Sequence, residues 1–217
     1  MNSQILTNIN NFLKKRLIEV FGILLIFAGF FILASVSSYS PEDPNFIYTP
    51  ENTDIKNICG FYGSIISDFL LQSVGLVSFL LAVNLLSWGL KLFVKKVINN
   101  FTTKIFYILI YLIFGTTVLN IFYNESFWLI NNGNGGFVGQ AIKDNIYYFT
   151  PLIENQYIIY ALIILTITFF ILSLDLKFNE FIKILAFPLN TLKKTIIFLK
   201  KNKKVEANID NTTEYPD

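Results

Sequence analysis

Four stretches of this chain are apolar for close to twenty residues at a time: 17–36, 69–90, 105–123 and 157–174. About 20 apolar residues wound at 1.5 Å per residue cross the ~30 Å hydrocarbon core of a bilayer. Backbone N–H and C=O groups have no water to bond there, so such runs must be helical. The alternation of a barrel strand is absent from all of them. Core helices of a soluble domain are the competing reading, but such a domain needs a charged shell of roughly 25% of its residues. Here Asp, Glu, Lys and Arg make up 15% and the mean hydropathy is +0.54. The expected fold class is therefore all-α: a polytopic membrane protein with four transmembrane helices.

The basic residues orient the spans, because Lys and Arg collect in cytoplasmic loops. Lys14, Lys15 and Arg16 precede the first span, and Lys91, Lys95, Lys96 and Lys104 separate the second from the third. Lys177, Lys183, Lys193, Lys194, Lys200, Lys201, Lys203 and Lys204 follow the fourth, so 15 of the 17 basic residues fall on one side. The opposite loops hold Lys56 and Lys143. Both termini are expected to be cytoplasmic, as an even number of spans also requires. The first span exceeds the ~7–15-residue core of a signal peptide, and is expected to remain as an anchor.

Side-chain chemistry is sparse. With no His and a single cysteine, Cys59, the chain has no Ser-His-Asp triad, no Cys-His dyad, no imidazole metal ligand and no internal disulfide. No catalytic residue, cofactor or metal is expected. A net charge of +2 is too small to imply DNA binding by the chain itself.

The segments between spans carry the patterned residues. Tyr39-Ser40-Pro41-Glu42-Asp43-Pro44 places two prolines three apart, each forcing its predecessor extended, which predicts a stiff turn just outside the bilayer. Asn57 to Asp68 then leads into the second span, with Gly60, Gly63, Ser64 and Ser67 on one helical face where another helix can approach closely. Residues 58–90 would span about 50 Å as one helix, so the stretch either tilts strongly or begins with an interfacial piece. Asp68 sits near the outer boundary. The second outside segment contains Gly133-Asn134-Gly135-Gly136-Phe137-Val138-Gly139, read as a turn leading into a short helix around 138–149; without a βαβ context it is no dinucleotide loop. In the tail, apolar residues from Phe178 to Leu199 recur at steps of three and four with lysines off the stripe, predicting an amphipathic juxtamembrane helix on an anionic leaflet. The domain plan is a four-span membrane domain (1–176), a basic amphipathic segment (177–204) and the start of a disordered linker (205–217).

Taken in order, these motifs resemble the four-helix membrane domain of the FtsK/SpoIIIE family of bacterial DNA translocases. The Tyr-Ser-Pro-Glu-Asp-Pro turn is similar to the family's aromatic-x-Pro-x-Asp-Pro. Asn57-x-x-Gly60-x-x-Gly63-Ser64-x-x-Ser67-Asp68 resembles Asn-x-x-Gly-x-x-Gly-Ala-x-x-Ala-Asp, and Gly135-Gly136-x-x-Gly139 resembles the Gly-Gly-x-x-Gly of the second outside loop. Phe46 stands where Trp is common, and Ser64 where Ala is usual. The family's motor needs a Gly-x-x-x-x-Gly-Lys-[Ser/Thr] phosphate cradle, and no Gly-Lys pair occurs here. The resemblance thus implies a non-catalytic module, either the front piece of a longer translocase or a separately encoded one. It would anchor in the lipid bilayer of the inner membrane at the division septum and contact other division-site membrane proteins, with no direct DNA binding; self-association stays open, because the helix packing can be within or between chains. The residues expected to shape it are Pro41, Asp43 and Pro44 in the first turn, Gly60, Gly63 and Asp68 at the start of the second span, and Gly135, Gly136 and Gly139 in the second loop. The alternative is a small transporter or channel subunit, for which Glu19, Gln72, Asn84 and Asn120 are the polar groups available.

Overall fold

The computed structural model describes residues 2–48, 54–123, 125, 129, 132–149 and 155–176. The expected tail helix (177–204) and linker (205–217) lie outside the described residues. Among the described residues six α-helices form in chain order: α1 Asn2–Ser37, α2 Gly60–Val74, α3 Ser78–Lys95, α4 Phe101–Phe122, α5 Gly136–Phe149 and α6 Gln156–Ser173, with a 3₁₀ turn at Gly75–Val77 between α2 and α3. Among the described residues four helical stretches are long and apolar enough to cross a membrane: Thr7–Ser37, Gly60–Lys95, Phe101–Phe122 and Gln156–Ser173. Large apolar side chains such as Leu24, Phe27, Phe30, Phe106, Leu109 and Ile164 stand exposed along them. On a soluble protein such surfaces would aggregate; on spanning helices they face lipid.

The helices associate as two pairs, α1 with α3 and α4 with α6. Small residues let the first pair close. Gly22 and Gly29 sit seven apart on α1, as do Ala82 and Gly89 on α3, and the helices run antiparallel with these positions in register. A Cβ on Gly22 would lie 2.9 Å from the Gly89 carbonyl oxygen, and one on Gly89 would lie 2.8 Å from that of Gly22. The backbones therefore touch, the arrangement that favours small residues where apolar lipid supplies no hydrophobic drive.

The second apolar stretch does not cross as one rod. Passing from Gly63 to Gln72, the contacts of α2 move from Ser35 of α1 to Tyr39, just beyond its C-terminal end. Descent begins only after the 3₁₀ turn, where Leu86 and Ala82 of α3 face Gly29 and Gly89 faces Gly22. The stretch is thus two helices with a corner between them: α2 begins beside Phe31 and Ser35 of α1, and the 18 residues of α3 pack along α1 in the opposite direction. Gly75 creates the corner, with φ 60° and ψ −146°, a backbone conformation confined to glycine. The described residues thus have a loop end, built from residues 38–48 and 54–59, α2 and α5, and a basic end, where α3 runs into α4 and α6 finishes.

Candidate functional site

At the loop end the first turn is pinned by one carboxylate. Asp43 is 4% exposed, and its two oxygens accept the backbone N–H groups of Lys56 (2.9 Å) and Asn57 (2.8 Å). Pro41 is exposed, while Pro44 is buried and its carbonyl accepts the Ser64 hydroxyl at 2.9 Å. Asn57, also 4% exposed, donates to the Ser35 carbonyl at 2.8 Å and to Ser67 Oγ at 3.3 Å, and accepts from the Cys59 N–H at 3.0 Å. Gly63 lies beneath this knot, where a Cβ would collide with the Asn57 and Cys59 side chains. The small-residue face of α2 is thus filled within the chain, by α1 and the loop. Gly60 differs: its φ of +66° turns the chain into α2, and nothing lies within 4 Å of a Cβ built there.

A polar relay joins the first loop to the second. Tyr39 OH donates to Asp68 Oδ1 at 3.1 Å, Gln72 Nε2 donates to Tyr39 OH at 3.4 Å, and Asn132 Nδ2 donates to Gln72 Oε1 at 2.8 Å. Burial, then the neighbouring Asp68 charge, pushes the Tyr39 phenol up to about 12. On the exposed rim Lys56 pairs with Glu42; their hydrogen bond holds the Glu42 carboxyl below its usual range and raises Lys56.

The second loop plugs the corner between α2 and α3. The Asn134 carbonyl accepts the Leu76 N–H at 2.9 Å, and the Asn134 amide donates to the carbonyls of Tyr123 (2.9 Å) and Glu125 (3.0 Å). Gly135 and Gly139 bring the start of α5 onto α4, where a Cβ at either would strike the Thr116 carbonyl. Gly136, at φ +66°, passes so close to Ser73 and Gly75 that a Cβ would lie 2.6 Å from the Gly75 nitrogen.

At the basic end the last turn of α6 is clamped. Trp88 Nε1 donates to the Ser173 carbonyl at 2.8 Å, Ser87 Oγ to the Leu174 carbonyl at 2.8 Å, and Asn84 to the Ser173 hydroxyl. Asp175, at φ 56°, takes Lys91 on one oxygen at 3.3 Å and Lys104 on the other at 3.4 Å, with all three side chains at most 15% exposed. Beside them Glu19 of α1 bridges Arg16 and Lys96. Among the described residues no group of three or more Cys, Asp or Glu side chains is placed to hold a metal.

Four crossing stretches, two structured loops at one end and this order of motifs coincide with a family model for the 4TM region of DNA translocase FtsK/SpoIIIE, which matches residues 14–185. The chain belongs to the FtsK/SpoIIIE family. Curated relatives named DNA translocase FtsK include those of Rickettsia prowazekii, 29% identical over 79% of this chain and 21% of the relative, and Rickettsia typhi, 28% identical over 87% and 24%. That of Azospirillum brasilense is 31% identical over 41% of this chain and 14% of its own length. The chain therefore spans about a quarter or less of the FtsK proteins it matches. No solved structure matches it.

Within this family region the structure gathers Asp43, Pro44, Gly63 and Asp68 around the first loop, and Gly135, Gly136 and Gly139 around the second, with Gln72 linking the two groups. Pro41 and Gly60 sit at its margins. The motifs do not single out Ser35, Gly75, Asn134, the Gly22–Gly89 contact or the Asp175 clamp. Signals existed for some of these. Gly75 is a glycine inside an apolar run, and Asn84, Ser87, Trp88 and Lys91 recur at helical spacing on one face of α3.

Proposed function

We propose that this chain is the membrane-anchoring and assembly module of a septal DNA translocase, serving cell division and chromosome segregation, without catalytic activity of its own. The observation that carries the reading is the family match across 172 residues, residues 14–185, falling on four crossing stretches. In this reading the basic end faces the cytoplasm and the loop end faces outward toward other division-site membrane proteins. Fixed loops suit that task, because a partner then meets a preformed surface and little ordering entropy opposes binding. The residues that fix them, Asp43, Pro44, Gly63 and Asp68 in the first loop and Gly135, Gly136 and Gly139 in the second, with Pro41 and Gly60 beside them, are the assembly residues of this proposal.

The polar groups that a channel would need are scattered. Glu19 and Asn84 serve the basic end, whereas Gln72 and Asn120 lie with the loops. They line no common path, which weighs against the transporter reading.

The test is placement in dividing bacteria. A fluorescent fusion to this chain should concentrate at mid-cell, and an export-dependent phosphatase inserted between residues 41 and 56 should be active but silent when inserted at residue 98. Uniform envelope fluorescence would remove the septal assignment, and the opposite phosphatase pattern would invert the topology.

A further inference from the structure

Between the two loops the surface opens into a cleft of about 460 Å³, within the range of ligand-binding pockets. Its walls include Phe46, Phe69 and Phe137, which are 72%, 58% and 63% exposed, and its polar side holds Asp68, Gln72 and Asn132. Phe46 and Phe69 meet edge to face with ring centroids 6.3 Å apart. Asp68 uses Oδ1 for the Tyr39 hydroxyl, and among the described residues no cation pairs with it. The amide oxygen of Gln72 is already taken by Asn132. A second carboxylate oxygen in a lining that includes three phenylalanines is thus what the cleft offers.

We propose that this cleft binds an arginine side chain presented by a basic segment of a partner protein on the loop side. Aromatic faces attract cations through the ring quadrupole, and a planar guanidinium can stack on a ring while donating to a carboxylate at its edge. The charge of the segments between the spans agrees in sequence: residues 37–68 and 124–156 together hold eight acidic residues (Glu42, Asp43, Glu51, Asp54, Asp68, Glu125, Asp144, Glu154) against Lys56 and Lys143. That field draws in a basic partner and repels an anionic lipid surface. A lipid tail lying in the cleft would leave the second Asp68 oxygen without a partner, which is costly away from water.

The proposal rests on the loop end being the assembly face, and its test separates the two. The full chain in phosphatidylcholine nanodiscs is titrated with a fluorescent acetyl-Gly-Arg-Tyr-Arg-Gly-amide peptide, and binding is followed by anisotropy. The arginine peptide should bind at least tenfold more tightly than its citrulline counterpart, which has the same shape without the charge. Asp68→Asn and Phe46→Ala should each weaken binding at least fivefold, and for Phe46→Ala the thermal midpoint should stay within two degrees of the parent. Phe46 lies on the exposed loop, so that variant keeps the test usable if Asp68→Asn fails to fold. Equal affinity for the two peptides, or indifference to Phe46→Ala, would overturn the proposal. Competition of the peptide by phosphatidylethanolamine added to the nanodisc would assign the cleft to a lipid headgroup and overturn it equally. Mid-cell placement with no peptide discrimination rejects the cleft alone; peptide discrimination with uniform fluorescence rejects the septal reading alone.

Discussion

Asp43 shows how much one side chain can organise in a loop with few helical hydrogen bonds. Removing it as Asp43→Ala leaves the buried Asn57 N–H without an acceptor and loses a charged hydrogen bond of about 1.5–3 kcal/mol. Thermal unfolding in detergent should show a loss in that range, with Asp43→Asn retaining part of it. Two glycines in the same motif should behave differently. Gly63→Leu forces atoms into the Asn57 knot and should cost about 1–3 kcal/mol or more from overpacking. Gly60→Ala meets open space and should cost only the left-handed backbone penalty of about 1–2 kcal/mol. A larger loss in Gly60→Ala than in Gly63→Leu would contradict this assignment of roles. Tyr39 adds a dependence on pH. Its phenol is neutral when protonated, and folding raises its pKa from the ordinary 10.0 to about 12. Its contribution is therefore complete below pH 10 and is lost as the pH climbs from 10 toward 12. Tyr39→Phe should flatten the decline in stability across that window, and an unchanged slope would refute the coupling.

At the level of elements, the spanning helices were legible because lipid leaves a 20-residue apolar run few alternatives. Their pairing was not. Gly22, Gly29, Ala82 and Gly89 are small residues inside uniformly apolar runs, and their seven-residue spacing acquires meaning only when α1 and α3 are set antiparallel. Gly89→Leu should push these helices apart at the crossing and lower stability by about 1–3 kcal/mol or more, read by unfolding in detergent, whereas Leu90→Ala on the exposed face should change little. The break at Gly75–Val77 was half legible: length alone demanded a tilt or a bend. The bend is met by Asn134, 58 residues away in sequence, which supplies the acceptor for Leu76. In the loops the glycine motifs marked where backbones come close, but not what they approach. That is set by Thr116, Asn120 and Asn57, residues on other elements.

For the molecule as a whole, two helix pairs are fastened at their ends. The loop-end knot uses glycine contacts and short polar side chains, and the basic-end clamp uses ions with little exposure. A lysine count gives an expected orientation and does not reveal that Lys91 and Lys104 share Asp175 or that Lys96 meets Glu19. Breaking a buried pair by removing one partner costs about 3–5 kcal/mol, and replacing both partners costs far less. Asp175→Asn should therefore destabilise strongly, with Lys91→Met combined with Asp175→Leu losing less than the sum of the single changes in detergent unfolding. Strict additivity would show that the pair is not coupled. The clamp also fixes how a load travels. Asp175 is the second residue beyond the end of α6, and it is tied to α3 and α4 rather than to its own helix. Tension on the chain beyond it is met first by those two neighbours, in shear across several bonds, before α6 can peel away turn by turn. A pull on this end of the bundle is shared among three helices.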